Sequence, residues 1–197
     1  SGFCIFNDPV LAIQVLTKQG AKVAYIDVDA HHGDGVQYAF YDRDDVLTIS
    51  LHESGEYIFP GTGSVDEIGT GKGRGYSVNV PLYPFTNDEI YLWVVREMIP
   101  LIVNTFNPDY LVTQLGIDTH FQDPITHMGL TVQGFSNVVM ELSDLARPWI
   151  GMGGGGYDVM AVARAWTSAY GVMSKQIFPD QIPSNFREWY GISTLSD

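Results

Sequence analysis

One segment constrains the fold more than any other, because it joins an apolar run to a group of acids and histidines. The run 23–28 reads Val-Ala-Tyr-Ile-Asp-Val, and Asp-Ala-His-His-Gly-Asp-Gly follows at 29–35. An apolar run with β-branched residues predicts a buried strand, and the glycines predict a loop at its carboxyl end. Side chains alternate along a strand, so Asp27, Asp29 and His31 are expected on one side, with the next histidine facing away. The alternative is a turn with a solvated histidine, which the apolar character of the strand disfavours.

Candidate strands and helices alternate along the rest of the chain. Strands are predicted at 23–28, 46–51, 76–80, 110–117 and 148–152, and helices at about 8–20, 35–40, 87–106, 131–145 and 158–173. This alternation predicts an α/β fold with a mainly parallel sheet. Asp8 is a candidate N-cap of the first helix, with Pro9 at its first position. The Pro-rich tail, residues 178–197, shows no clear element.

Length and composition limit the protein class. The chain has 197 residues, 45% of them hydrophobic, so one domain with a single core is the default. No apolar run is long enough for a transmembrane helix, and the first residues lack the basic region of a signal peptide. The sequence begins without methionine inside an apolar segment, so we expect a piece of a longer protein. The single cysteine, Cys4, excludes an internal disulfide and suits a reducing cytoplasm.

The charge of the chain bears on its partners. The formal net charge is −13 and the pI is about 4.5. Phosphate contacts need clustered Lys and Arg, so we expect no direct binding of nucleic acid. A cationic substrate is compatible with this charge, although many soluble proteins are acidic.

Chemically useful residues follow three of the predicted strands: Asp29 with His31, then Asp118, then Tyr157. The carboxyl ends of parallel strands lie on one edge of a sheet, so these groups can converge. Two carboxylates and one imidazole suit a divalent metal and leave a coordination position open for water, as in catalytic zinc sites. The alternative for Asp118 is that it caps the turn that follows it.

Tyr157 follows four consecutive glycines, which allow close approach of the backbone. A phenol held on such a turn could stabilise a developing oxyanion. The alternative is a tyrosine packed in the core at the entry to a helix. The glycine patterns typical of phosphate and dinucleotide loops are absent from the sequence.

Five motifs in order resemble the zinc-dependent histone deacetylase superfamily. They are Asp-Val-Asp-Ala-His-His-Gly-Asp-Gly at 27–35, Phe-Pro-Gly-Thr-Gly at 59–63, Gly-Lys-Gly-Arg at 71–74, Gln-Leu-Gly-Ile-Asp at 114–118 and Gly-Gly-Gly-Gly-Tyr at 153–157. The sequences of segments 1–8 and 52–63 are most similar to those of the bacterial acetoin-utilisation deacetylases. The resemblance covers nearly the whole chain and implies a three-layer, arginase-like α/β fold.

The resemblance also implies roles for individual residues. Asp29, His31 and Asp118 would bind one Zn²⁺, with Fe²⁺ as the alternative metal in cells. Tyr157 would polarise the substrate carbonyl and hold the oxyanion. His32, His120 and His127 match no ligand role, so we expect structural or surface positions for them.

Further implied residues surround the metal. Phe3 and Phe59 would form the walls of a narrow tunnel for an acyl-lysine side chain, with Gly155 at its floor. From residue type alone, both phenylalanines would instead be core aromatics. A structural K⁺ would be held by Asp27, Ser50 and Leu51 with the main chain of residues 29 and 31. A second monovalent site would use main-chain oxygens near Phe40, Arg43, Val46 and Tyr76.

One departure from the family pattern is serious. The family carries a tandem pair of histidines, acting as general base and acid, upstream of the segment at which this sequence starts. The only tandem pair here, His31-His32, belongs to the metal loop. We therefore expect residues 1–197 to be a single partial deacetylase domain, its central and carboxyl-terminal portion. Alone, this stretch is expected to be inactive.

Several functional hypotheses follow. The first is a metal-dependent amidohydrolase that removes acetyl groups from acetyl-lysine in proteins or peptides, or from small acetylated amines. The second is an arginase-like ureohydrolase, but its two-metal clusters need more aspartates than this loop offers. The third is an incomplete fragment or pseudoenzyme that binds acylated ligands. No membrane association is expected, and the sequence does not indicate an oligomeric state.

Overall fold

The computed structural model describes residues 2–145 and 147–197, which form a five-stranded sheet. The strands are β1 (Val23–Asp27), β2 (Val46–Glu53), β3 (Ser77–Leu82), β4 (Tyr110–Gln114) and β5 (Trp149–Met152). Their spatial order is β3-β2-β1-β4-β5, and every neighbouring pair is parallel. The predicted α/β class and parallel sheet are confirmed.

Six α-helices connect and flank the strands within the described residues. They are α1 (Asp8–Thr17), α2 (Asp34–Ala39), α3 (Asp88–Phe106), α4 (Val132–Ser143), α5 (Val159–Ser174) and α6 (Ser184–Tyr190). Asn87, Thr131 and Asp158 cap α3, α4 and α5 through their side chains. None of these helices is both long and apolar enough to cross a membrane.

The start of α1 differs from the prediction by one residue. Asn7, and not Asp8, is the N-cap, because its Oδ1 accepts a hydrogen bond of 3.2 Å from the Val10 amide. Asp8 becomes the first helical residue, where its negative charge interacts favourably with the helix dipole.

β1 is the centre of the sheet and is buried along its whole length. Its alternate residues enter two apolar clusters: Ala24 and Ile26 face the one that contains α3 and α4, whereas Val23 and Tyr25 face the one that contains Ile13 of α1. Burial on both faces explains why the strand is apolar up to its last residue, Asp27. Acidic groups can therefore appear only where the strand ends.

Three strand ends differ from the sequence prediction by two residues or more, and one of them is that of β3, which reaches Leu82. β2 continues through His52 and Glu53, which the sequence placed in a loop, and both side chains are buried. β4 ends at Gln114 and not at residue 117. The Gln114 side chain accepts a hydrogen bond of 2.7 Å from the Gly116 amide, which turns the chain away from the sheet.

The tail has more structure than its proline content indicated. α6 lies between Gln181 and Thr194, which form an isolated antiparallel bridge. The tail is anchored by Asp197, whose carboxylate contacts His120 at 3.1 Å and Arg164 at 2.7 Å.

Candidate metal centre

The neighbouring strands β1 and β4 end side by side at the carboxyl edge of the sheet. Asp27, the last residue of β1, is in register with Gln114, the last residue of β4. Asp29 and His31 follow β1, and Asp118 follows β4. The Nδ1 atom of His31 lies 3.1 Å from Oδ1 of Asp29 and 2.9 Å from Oδ2 of Asp118. One ligand atom from each of the three side chains lies within 4.8 Å of the others.

Hydrogen bonds orient both carboxylates. Oδ2 of Asp29 accepts from Nε2 of Gln114 at 2.8 Å and from the Gly155 amide at 2.7 Å. Oδ1 of Asp118 accepts from the Ala30 amide at 2.7 Å. This bond crosses to the loop after β1, so the carboxylate does not cap its own turn. The remaining oxygen of each carboxylate faces the imidazole.

The electrostatics of the three groups depend on burial and on their mutual contacts. Burial, and then the charge of Asp29, raise the pKa of Asp118 to about 7. Burial also opposes the ionisation of Asp29, but hydrogen bonds from His31 and Gln114 outweigh it and lower the Asp29 pKa. For His31, burial disfavours the charged ring, yet the hydrogen bonds to Asp118 and Asp29 raise its pKa to about 10. The pocket between the carboxylates therefore favours a positive charge.

Glycines leave room for this arrangement. A Cβ atom on Gly155 would overlap the carboxylate of Asp118, and a Cβ on Gly116 would overlap that of Asp29. Both positions therefore need glycine for close approach of the backbone.

The residues fit one divalent transition metal. One imidazole nitrogen and two carboxylate oxygens match the ligand types of catalytic zinc sites, which keep a further position open. In the parts of the chain that the structure describes, no second group of three such side chains converges. A two-metal centre of the arginase type therefore lacks ligands within these residues.

Asp27 lies beside this group but has other contacts. Its Oδ2 accepts a hydrogen bond of 2.7 Å from the Tyr25 hydroxyl, and its Oδ1 accepts one of 3.1 Å from the Asp29 amide. Burial, and then the charge of Asp29, raise the pKa of Asp27 well above its usual range. Ser50 lies opposite Asp27 in the sheet, and its Oγ accepts from the Gly33 amide at 3.3 Å.

The other residues predicted for monovalent sites have main-chain roles. The Leu51 carbonyl accepts a long hydrogen bond of 3.5 Å from the Tyr91 hydroxyl. The Phe40 carbonyl accepts from the Arg43 amide at 3.1 Å, and the Tyr76 carbonyl accepts from an amide of β2 at 2.9 Å. Val46 is the first residue of β2. Both K⁺ sites stay predictions.

An open cleft of about 1180 Å³ has Asp29 and His31 in its lining, together with Phe3, Phe59 and Tyr157. Phe3 is 84% exposed and Phe59 is 59% exposed, so neither is a core aromatic. The Phe3 ring lies edge-on to the Tyr157 ring, with their centroids 5.9 Å apart.

Tyr157 is held at the cleft by its backbone. Its amide donates a hydrogen bond of 2.8 Å to Oδ2 of Asp123, and the residue is 38% exposed. The core position that residue type alone allowed is therefore wrong. Burial, and then the charges of Asp118 and Asp29, raise the phenol pKa to about 12. The hydroxyl therefore keeps its proton at neutral pH and can donate a hydrogen bond.

Two histidines form a buried polar network that sequence reasoning did not predict. His32 faces away from the metal centre, and its ring contacts Thr62 at 2.9 Å and Gln37 at 3.0 Å. The two ring nitrogens of His52 form hydrogen bonds with the Ser50 hydroxyl, at 2.9 Å, and with the Gly63 carbonyl, at 3.0 Å. Burial, and then the charge of His32, lower the His52 pKa to about 4.

The two remaining histidines have separate partners. His120 is buried and contacts Asp197, whereas His127 is half-exposed and contacts the buried carboxylate of Glu53 at 2.8 Å. The sequence also did not predict that Gln114 and Asp123 would support the site. The only signal for Gln114 was an amide side chain at the end of an apolar run.

Comparison with known proteins gives consistent matches. The family model described as "Histone deacetylase domain" matches residues 1–173. The chain is 48% identical over 173 residues to the acetoin utilization protein AcuC of Bacillus subtilis, which covers 84% of this chain and 45% of that protein. It is 42% identical over 192 residues to human histone deacetylase 1, covering 97% of this chain and 40% of that protein. The chain thus spans slightly less than half the length of these curated relatives.

Solved structures agree with these matches. A histone deacetylase homologue in complex with SAHA superposes with a TM-score of 0.94 at 37% identity, covering 100% of this chain and 57% of that one. The homologue from Aquifex aeolicus superposes with the same TM-score at 36% identity, covering 100% and 58%. This likeness confirms the arginase-like α/β fold that the motifs implied.

Proposed function

The chain belongs to the histone deacetylase family, and from that premise we propose that it is the central and carboxyl-terminal part of a metal-dependent deacetylase domain. The proposed reaction is hydrolysis of the acetyl amide of acetyl-lysine in a protein or peptide. The convergence of Asp29, His31 and Asp118 within 4.8 Å, with Asp29 and His31 in the lining of an open cleft, carries this proposal.

The proposed metal is one Zn²⁺, with Fe²⁺ as the alternative, bound by those three side chains. When bound, such an ion supplies Lewis acidity and lowers the pKa of a coordinated water. Gln114 and the Gly155 amide hold the Asp29 carboxylate in place, and the Ala30 amide holds Asp118. Partners of this kind orient ligands and support metal affinity.

Tyr157 is the proposed donor to the substrate carbonyl oxygen. Its raised pKa keeps the proton on the phenol, and its backbone bond to Asp123 fixes the loop that carries it. A hydrogen bond to an oxygen on which negative charge develops stabilises the transition state more than the ground state.

Phe3 and Phe59 are the proposed walls for the acyl-lysine side chain. Both rings are exposed on the cleft, where the four methylenes of a lysine could pack against them. Gly155 leaves the floor open, because a side chain there would fill the space beside Asp118.

For proton transfer, the described residues offer one cleft-lining histidine outside the metal loop, His127, and its Nδ1 is already held by Glu53. His31 is a proposed ligand, and His32 and His52 are buried with both ring nitrogens bonded. His120 is buried against Asp197. We therefore infer that the base and acid come from an upstream histidine pair in a longer protein, and that residues 1–197 alone are inactive.

The further partners remain proposals of the same kind. K⁺ at the site formed by Asp27, Ser50 and Leu51 would stabilise the loop that carries the metal ligands. An acetylated protein or peptide in the cytoplasm is the proposed substrate, with no direct role for nucleic acid or membrane.

Metal analysis of the purified chain tests the centre. We expect one zinc per chain after reconstitution, and a sharp loss of affinity in Asp118→Asn, because an anionic ligand is removed. Asp66→Asn, which changes an exposed carboxylate, is the control and should leave the zinc content unchanged. Two tightly bound ions per chain, or full zinc retention in Asp118→Asn, would contradict the proposed centre.

An acetyl-lysine peptide assay tests the reaction. We expect chelator-sensitive turnover by a protein extended upstream to the length of its relatives, and none by residues 1–197. General acid–base catalysis contributes roughly 10²–10⁴-fold. Turnover by the shorter chain at a rate close to that of the longer one would show that the base lies within residues 1–197.

A further inference from the structure

Four side chains form an exposed surface at the mouth of the cleft, which we call the aromatic ledge: Tyr57, Tyr83, Phe85 and His127. The rings of Tyr57 and Tyr83 lie 6.4 Å apart, and those of Phe85 and His127 lie 6.5 Å apart. Tyr57 and His127 also line the cleft that contains the metal centre. The ledge is therefore continuous with the proposed entrance for acetyl-lysine.

Phe85 has a strained backbone conformation, although its side chain gains no burial from it. Its φ is +65°, a left-handed conformation that bulky residues rarely adopt. The conformation is held by a hydrogen bond of 2.7 Å from the Phe85 amide to the His127 carbonyl, and by one of 2.7 Å from the Thr86 hydroxyl to the Tyr83 carbonyl. The residue is nevertheless 78% exposed, so burial does not compensate for the strain. Strained residues of this kind concentrate at binding and active sites.

A buried carboxylate fixes the other end of the ledge. Glu53 is 1% exposed, and both of its oxygens bind one residue: Oε2 accepts from the His127 amide at 2.8 Å, and Oε1 contacts Nδ1 of the His127 ring at 2.8 Å. The imidazole is thereby held at the cleft while its side chain stays 54% exposed. A surface fixed before binding loses little conformational entropy when a ligand docks.

We propose that the aromatic ledge is a subsite for an aromatic side chain next to the acetylated lysine of a peptide substrate. This inference rests on the proposed function, because a lysine that enters the cleft places its sequence neighbours across the mouth. The ledge offers exposed ring faces and edges, which pair favourably with a further ring. It therefore distinguishes a peptide with an aromatic neighbour from a free acetylated amine, which would not reach the ledge.

Direct binding measurements test the subsite without relying on turnover. The probes are three fluorescein-labelled peptides, Gly-acetyl-Lys-X-Gly with Phe, Ala or Arg at X, titrated with the Zn²⁺-supplemented chain and followed by anisotropy. We expect the Phe peptide to bind about tenfold more tightly than the Ala peptide, with the Arg peptide near the Ala value.

Two variants and one control locate the effect. Phe85→Gly suits the positive φ, so it should fold at least as well as the parent while losing the ring. In Phe85→Gly and in Tyr83→Ala the preference for Phe over Ala should fall at least threefold, with binding of the Ala peptide unchanged. Trp189→Ala, which removes a 70% exposed ring from α6, should keep the full preference.

The outcomes separate the two proposals. Equal, chelator-sensitive binding of the Phe and Ala peptides would overturn the ledge and leave the deacetylase proposal standing. Tighter binding of the Arg peptide than of the Phe peptide would also overturn it, because the surface would then select cations. Absence of chelator-sensitive binding by all three peptides would overturn the ledge, and the acetyl-lysine assay on the upstream-extended protein would decide the deacetylase proposal separately.

Discussion

The side-chain amide of Gln114, the last residue of β4, donates a hydrogen bond of 2.8 Å to Oδ2 of Asp29, two residues beyond the end of β1. The amide orientation is set by its oxygen, which accepts from the Gly116 amide at 2.7 Å. One side chain thus turns its own strand out of the sheet and holds a proposed metal ligand on the neighbouring loop.

Gln114→Leu should therefore weaken metal binding. Loss of an orienting partner typically costs 10–100-fold in affinity, and we expect a decrease of about that size in zinc affinity. Competition with a chromophoric chelator measures it. Gln19→Leu, at an exposed position outside the centre, is the control. Equal affinities of Gln114→Leu and the parent would show that Asp29 is positioned by other groups.

The convergence of the three proposed ligands was predictable because it follows from strand periodicity. An apolar strand buried on both faces can carry acids only at its end, and parallel register brings the ends of β1 and β4 to the same edge. The residues Asp29, His31 and Asp118 could be chosen on that basis. The orienting role of Gln114 could not, because it depends on a contact between positions 85 residues apart.

The same limit explains the incorrect end of β2. His52 and Glu53 are polar, and the sequence around them has the glycine content of a loop. They can be buried because distant groups supply their hydrogen-bond partners. The Gly63 carbonyl is bonded to Nε2 of His52, and His127 contacts both carboxylate oxygens of Glu53. Such partners are separated in sequence by 11 and 74 residues, so local patterns do not reveal them.

The metal-free centre should lose stability as the pH rises. His31 has a folded-state pKa raised to about 10 against an ordinary value of 6.5, so its contribution is fully present below pH 6.5 and disappears as the pH passes through about 10. The Asp118 pKa is also raised, to about 7, so its contribution is lost between about pH 4 and 7. Thermal unfolding with a chelator should therefore give a lower Tm at pH 9 than at pH 7.

His31→Asn provides the comparison for this pH dependence. The variant has no imidazole to titrate, so the decrease in Tm between pH 7 and 9 should shrink. Zinc affinity should show the opposite trend, rising with pH as protons leave the ligands. A metal-free parent whose Tm is flat from pH 7 to 9 would contradict the contacts between His31 and the two carboxylates.

The buried contacts of Asp197 should matter for stability. Arg164 is almost fully buried, and its guanidinium contacts Oδ1 of Asp197 at 2.7 Å. Asp197→Asn leaves this buried charge without its carboxylate; because Asp197 itself is partly exposed, we expect a cost of about 1.5–3 kcal/mol, below that of a fully buried pair. Urea unfolding measures the change. Glu141→Gln breaks the exposed pair with Arg96 and should cost less than about 1 kcal/mol. Similar costs in the two variants would show that the tail contact contributes no more than a surface pair.

The last prediction concerns the phenol of Tyr157, whose pKa is raised to about 12. Tyr157→Phe removes the hydroxyl and keeps the ring that packs edge-on against Phe3, so the cleft wall should survive. Loss of one donor to a developing oxyanion typically lowers kcat by about 10²–10³-fold. We expect a decrease of this size in the upstream-extended protein, assayed on an acetyl-lysine peptide, with unchanged zinc content. Tyr190→Phe, on α6, is the matched control and should retain full activity. If Tyr157→Phe lost zinc together with activity, the hydroxyl would support the metal centre and would not act on the carbonyl.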